Sequence, residues 1–72
     1  MQPEQDHLIE RAHKAYWRTA KARRAAGECV DAPSYSATEV DWADERAPIV
    51  ILRNSYRVLA EYRWSNSRLR RR

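Results

Sequence analysis

Residues 4–26 contain neither glycine nor proline, while Pro3 and Gly27, the chain's single glycine, stand immediately on either side. Alanine is abundant in the stretch, and a proline before it with a glycine after it are start and stop signals for a helix. One long helix over 4–26 is therefore predicted, and a chain of 72 residues must build everything else around it. At roughly 100° per residue, Leu8, Ala12, Ala15, Thr19, Ala22 and Ala26 fall on one side, with Tyr16 and Ile9 at its edge. That face is small, which suits close approach of a second helix.

The opposite side of the same helix carries Arg11, Lys14, Arg18 and Lys21 at a 3-4-3 spacing. Trp17 lies about 40° beyond Lys21 by helical geometry, far from the small apolar face. In a regular helix Trp17 is expected to be largely exposed among cations rather than buried.

The remaining sequence reads in two parts. Residues 28–47 hold Pro33 and clustered Ser and Thr, a loop composition. Ser36 with Glu39 matches a capping box, and Val40, Ala43 and Ala47 follow helical spacing, predicting a short helix over about 37–46. The rival is a hairpin pairing "TEVDW" with "PIVIL", since the second run is short and β-branched. Residues 48–68 are predicted to form a second long helix with Pro48 in its first turn. Ile51, Leu52, Val58, Leu59, Tyr62 and Leu69 would form its apolar side, and Arg53, Arg57, Trp64 and Arg68 the other. Residues 69–72 read as a disordered basic tail. The expected fold is all-α: one domain over 1–72, an antiparallel helical hairpin of 4–26 and 48–68 with a loop or short helix between. The alternative is α+β with a small hairpin around 38–52.

Large aliphatic residues are few and phenylalanine is absent, so the core is thin and a partner or second copy would help complete it. Cys29 is the only cysteine, which excludes an internal disulfide and points to a reducing compartment. No apolar run reaches membrane-spanning length, and the polar start "MQPEQDHLIE" is unlike a secretory signal. The expectation is a cytoplasmic protein with no membrane contact.

Catalytic constellations are missing from the pattern. His7, Glu10 and His13 stand three apart, whereas a zinc-binding helix needs histidines at i and i+4 to reach one ion. They are expected to be exposed polar residues, and neither metal nor cofactor is implied. Cys29 follows Glu28, whose charge raises a thiol's pKa rather than activating it. With one glycine there is no phosphate-cradling loop. Adjacent acids such as Asp44 and Glu45 need a deep cleft to act as acid and base. The chain is expected to be non-enzymatic.

Charge is the informative feature. The net +4 is distributed in blocks: −3 over residues 1–10, +6 over 11–27, −5 over 28–47 and +6 over 48–72. Cations neutralise phosphates and release counterions, while indoles stack on exposed bases. Two basic stripes, Arg11, Lys14, Trp17, Arg18 and Lys21 on the first helix and Arg53, Arg57, Trp64 and Arg68 on the second, are therefore candidate contacts to nucleic acid or a partner. The bland alternative is a pair of solvated helix faces whose long stems cover the tryptophans. The acidic segment with Glu39, Asp41, Trp42, Asp44 and Glu45 is a candidate protein-docking element.

These readings combine into a small regulatory protein that docks on a larger protein or nucleoprotein complex, such as the transcription machinery. Small accessory proteins of bacteria and their phages often have this size. Two alternatives use the same residues: direct DNA or RNA binding without a protein target, and a structural subunit that forms homo-oligomers through the Ala-rich face.

Overall fold

The computed structural model describes residues 4–72 and has an α+β architecture, a single helix packed on a four-stranded antiparallel sheet. The helix, α1, spans Gln5–Ala25, and the strands are β1 (Glu39–Asp41), β2 (Ile49–Arg53), β3 (Val58–Ser65) and β4 (Arg68–Arg71). The strands form a meander in the order β1-β2-β3-β4.

The first long helix is where the glycine-free stretch put it. Pro3 lies outside the described residues, but the stop signal is explicit. Gly27 adopts φ 89°. Its N–H donates to the Arg24 carbonyl at 3.0 Å, and the Glu28 N–H donates to the Arg23 carbonyl at 3.1 Å. This is a Schellman closure, which needs a left-handed residue that glycine supplies without a Cβ penalty.

The all-α hairpin is overturned, because residues 48–68 form β2 and β3 instead of a second helix. Two local features outweigh the helical spacing. Ile49, Val50 and Ile51 are consecutive β-branched residues, stiff at χ1 and suited to a pleated surface. Asn54 then organises a tight turn: its Oδ1 accepts from the Tyr56 and Arg57 N–H groups, both at 2.8 Å. Its own N–H donates to the Arg57 carbonyl at 3.1 Å. A side chain that captures the backbone in this way competes directly with a helix interior.

The short helix over 37–46 is likewise absent. Glu39 lies in β1, Ser36 Oγ bonds Ser34 Oγ at 2.9 Å, and no capping box forms. The rival strand pairing is present instead, with Val40 opposite Val50 and Asp41 opposite Ile49. Residues 69–72 are not a frayed tail either, since Arg68–Arg71 is β4, with Leu69 opposite Trp64. Asn66 and Ser67 turn the chain with φ of 51° and 60°, as a two-residue hairpin requires.

Strand alternation divides the sheet into two faces. Val50, Leu52, Ala60 and Tyr62 point to α1 and are buried against Leu8, Ile9, Ala12, Tyr16 and Ala20. The buried face of α1 is therefore rotated from the small-residue face predicted for it. Thr19 and Ala22 are exposed, whereas His13, expected on the surface, is only 3% exposed. The face of the sheet, with Val50, Leu52, Ala60 and Tyr62, takes the bulky Tyr16 into the interface that alanines were expected to form.

Candidate nucleic-acid interface

The site is built on the solvent side of α1. Lys14 and Arg18 stand one turn apart on its crest, opposite the Leu8–Ala12–Tyr16 face, and both are exposed. A groove runs along each flank. One, of about 420 Å³, is lined by His13, Lys14, Trp17, Arg18, Lys21 and Tyr35. The other, of about 310 Å³, lies towards β4 and is lined by Arg11, Lys14, Ala15, Arg18, Arg68 and Leu69. Lys14 and Arg18 border both. Of the ion pairs among the described residues, only Lys14–Glu10 at 3.2 Å touches this crest.

Arg68 joins the helical stripe at the second groove although it comes from β4. The rest of the second predicted stripe does not assemble. Arg57, in the β2–β3 turn, pairs with Asp31, and Arg53 lies 3.9 Å from Glu39 across the sheet. The helix that would have aligned Arg53, Arg57, Trp64 and Arg68 does not exist, and strand geometry sends them to different places.

The tryptophans are half-buried and pack against the core, in contrast to the exposure expected of Trp17 and Trp64. A guanidinium covers each of these two: Arg24 lies 4.9 Å from the centroid of Trp17, and Arg11 lies 5.3 Å from that of Trp64. Tyr16 meets Trp17 edge-on at 5.7 Å. Cation–π contact and stem packing thus occupy the indole faces that stacking would need.

Tyr35 is the aromatic residue that the charge pattern did not single out for stacking. Its ring lies parallel to that of His13, with centroids 3.9 Å apart and planes 4° apart, yet the residue is 62% exposed. His13 is fixed from below. The Thr38 hydroxyl donates to the Ser34 carbonyl at 2.7 Å, so its contact with His13 Nε2 at 3.0 Å requires the ring nitrogen to donate. Burial disfavours the imidazolium and pushes the pKa of His13 below its ordinary value. Burial thus favours the neutral ring, the hydrogen bond to Thr38 holds it, and Tyr35 rests on it. No signal short of the pairing between helix and loop could have found this stack, because the two rings are far apart in sequence.

The acidic segment lies elsewhere. Val40 packs towards the core, so alternation turns Glu39 and Asp41 to the open face of the sheet, away from α1. Asp44 and Glu45 follow in the β1–β2 connection. Asp41 and Asp44 also shape that connection, accepting from the Ala43 and Arg46 N–H groups at 2.9 and 3.0 Å. Trp42 is half-buried and its Nε1 donates to Gln5 Oε1 at 3.3 Å, so it anchors the connection to α1.

Among the described residues no group of three His, Cys, Asp or Glu side chains is placed to hold a metal ion, and Cys29 is an exposed free thiol. No helix among them is long and apolar enough to cross a membrane. Comparison with protein-family models, with curated proteins and with solved structures finds no match to this chain.

Proposed function

We propose that this chain is a small, non-enzymatic, cytoplasmic regulatory protein that docks on a nucleic-acid-processing complex, such as the transcription machinery, and alters what it does. The observation that carries this reading is that the acids of β1 and its connection lie at one edge of the sheet, apart from the basic crest of α1. The cations of α1, with Arg68, line grooves on the helical side, while Glu39 and Asp41 face outward from the sheet. A single-sign surface beside grooves raises the local concentration of an oppositely charged polymer, and a phosphate backbone is the abundant one. The acidic edge and its connection offer a different chemistry, fitted to a protein surface carrying Arg or Lys.

The same separation favours one second reading, direct binding to DNA or RNA without a protein target. A phosphate chain on the helical crest would not meet β1. The two readings part in a capture experiment from native lysate, with and without nuclease, using wild type and an Arg18→Glu/Lys21→Glu variant. Docking on a complex predicts that nucleic-acid-processing proteins are retained after nuclease treatment and lost with the variant. Retention that vanishes with nuclease leaves direct binding. A retained set without such proteins, unchanged by charge reversal, overturns both.

A further inference from the structure

We propose that the His13–Tyr35 stack is a platform for an unpaired nucleobase, with Lys14 and Arg18 holding the adjoining phosphates, so that the helical grooves take single-stranded nucleic acid. This rests on the proposed meeting of the α1 crest with phosphate, and it specifies the form of polymer.

Three observations converge on one place. The Tyr35 ring has one face committed to His13, at 3.9 Å and nearly parallel, which leaves the opposite face to solvent. The ring beneath it is held by the Thr38–Ser34 hydrogen-bond chain, so the platform is ordered before any ligand arrives. Tyr35 and Lys14 also share the walls of two grooves, one running to Trp17 and Lys21 and the other, of about 550 Å³, running to Asp6, Ile9 and Ser36. A base placed on Tyr35 would extend an existing two-ring stack with an ammonium group alongside.

The other exposed or half-buried aromatics fit less well. Trp17 and Trp64 lie under guanidinium groups. Tyr56 is 91% exposed in the β2–β3 turn, with no ring contact that orders it and no lining role in any of the grooves. A duplex keeps its bases stacked inside and cannot offer a π-face to Tyr35, whereas a single strand can. Ordering cost decides between the candidates: a pre-stacked ring loses little further freedom on binding, and a free one at a turn loses more.

The test uses the full chain with oligo(dT), oligo(U) and a duplex of equal length, each labelled for fluorescence anisotropy and titrated at two salt concentrations. Tighter binding to the single strands is expected. Base–aromatic stacking typically contributes about 1–3 kcal/mol, so Tyr35→Ala should weaken single-strand binding by roughly 5- to 150-fold. The salt dependence should not change, because no cation is removed. Tyr35→Phe should retain wild-type affinity. Tyr35→Leu, which keeps apolar cover over His13 without a π-face, should behave like Tyr35→Ala, with circular dichroism confirming the fold of each variant. Undiminished single-strand affinity in Tyr35→Ala and Tyr35→Leu, or a preference for duplex, would overturn the platform while leaving the phosphate-binding crest in place. Binding to no oligonucleotide, together with capture of a nuclease-resistant complex, would overturn the platform and leave the docking function standing.

Discussion

The two outer faces of this molecule carry charges of both signs in quite different arrangements. Across the open face of the sheet, Asp41, Ile49, Arg63 and Arg70 form one row over the four strands, and Glu39, Ile51 and Glu61 form the next. Acids and arginines share this face, and Glu39 and Glu61 have arginines within 4 Å, Arg53 at 3.9 Å and Arg72 at 3.2 Å. On the crest of α1, Arg11, Lys14, Arg18 and Lys21 face solvent with Glu10 as the one acid paired to them among the described residues. Folding the acidic middle block against the basic C-terminal block puts acids and arginines on one face, so that face has no single sign. From residue 11 onward α1 is drawn from one basic block, and its crest keeps that sign. Block charge in the sequence therefore becomes an electrostatic surface only where the block folds on itself.

The sharpest way to break this comparison is through the core that keeps the faces apart. Leu52 is fully buried beneath α1, while Ile51, its neighbour on β2, alternates to the open face and is half-buried. Leu52→Ala should destabilise the fold by about 2–5 kcal/mol, the usual range for a buried leucine that leaves a cavity. Ile51→Ala should cost clearly less, since part of its surface already meets water. Urea denaturation of the two variants measures the difference. Equal losses would mean that the open face is covered in solution.

Next in size is the effect of the crest on binding. Arg18→Glu with Lys21→Glu should weaken binding to nucleic acid and lower the slope of log affinity against log salt by roughly 0.7–0.9 for each phosphate no longer neutralised. Arg53→Glu, on the sheet, should leave that slope unchanged. If the Arg53 substitution alters the slope as much as the crest pair does, the polymer does not distinguish the faces.

How far these features could be read from sequence follows from how local they are. The helix and its stop at Gly27 depend on neighbours within a turn, and the sequence shows both. The stripe on α1 followed from the same periodicity. Residues 48–68 are ambiguous because a run such as "PIVILR" is apolar at successive positions, satisfying a helical face and a strand buried on one side equally well. The Asn54 turn resolves it, through two backbone hydrogen bonds that residue spacing does not reveal. The wrong period misplaced Arg53, Arg57, Trp64 and Arg68 together. The Tyr35 platform was illegible for another reason: it depends on a loop folding back across 25 residues to place Thr38 on His13.

His13 gives a smaller effect that separates the helical side from the sheet by pH. Its folded pKa is lowered by burial, so between that value and about 6.5 the unfolded chain binds more protons than the folded one. The stabilisation from keeping His13 neutral is present above about pH 6.5 and is lost as pH falls through the folded value. Protonation would add a second donor to a ring stacked under Tyr35 and beside Lys14, whose ammonium shares the same groove. His13→Gln retains a donor near the Nε2 position but cannot titrate. Thermal denaturation between pH 7 and pH 5 should therefore show a shallower loss for His13→Gln than for wild type. Parallel curves would place the acid sensitivity elsewhere.

The smallest expected effect tests whether the charges of the open face matter at all. Glu39 and Arg53 lie 3.9 Å apart, at the limit of an ion pair, with side chains 63% and 41% exposed. At that exposure water and salt screen the attraction, and holding two long side chains together has an entropic cost, so such pairs contribute about 0.2–1 kcal/mol. Glu39→Gln and Arg53→Gln should each change stability within that range, and the double variant should show a coupling no larger. The strand pairing at this edge rests on the backbone ladder and on Val40 against Val50, neither of which the substitutions touch. A double-mutant cycle by urea denaturation at low and high salt provides the measurement. Coupling that persists at high salt and exceeds the range would show that the pair is shielded from solvent, which an open sheet face does not allow. The layer would then have a cover on the side away from α1.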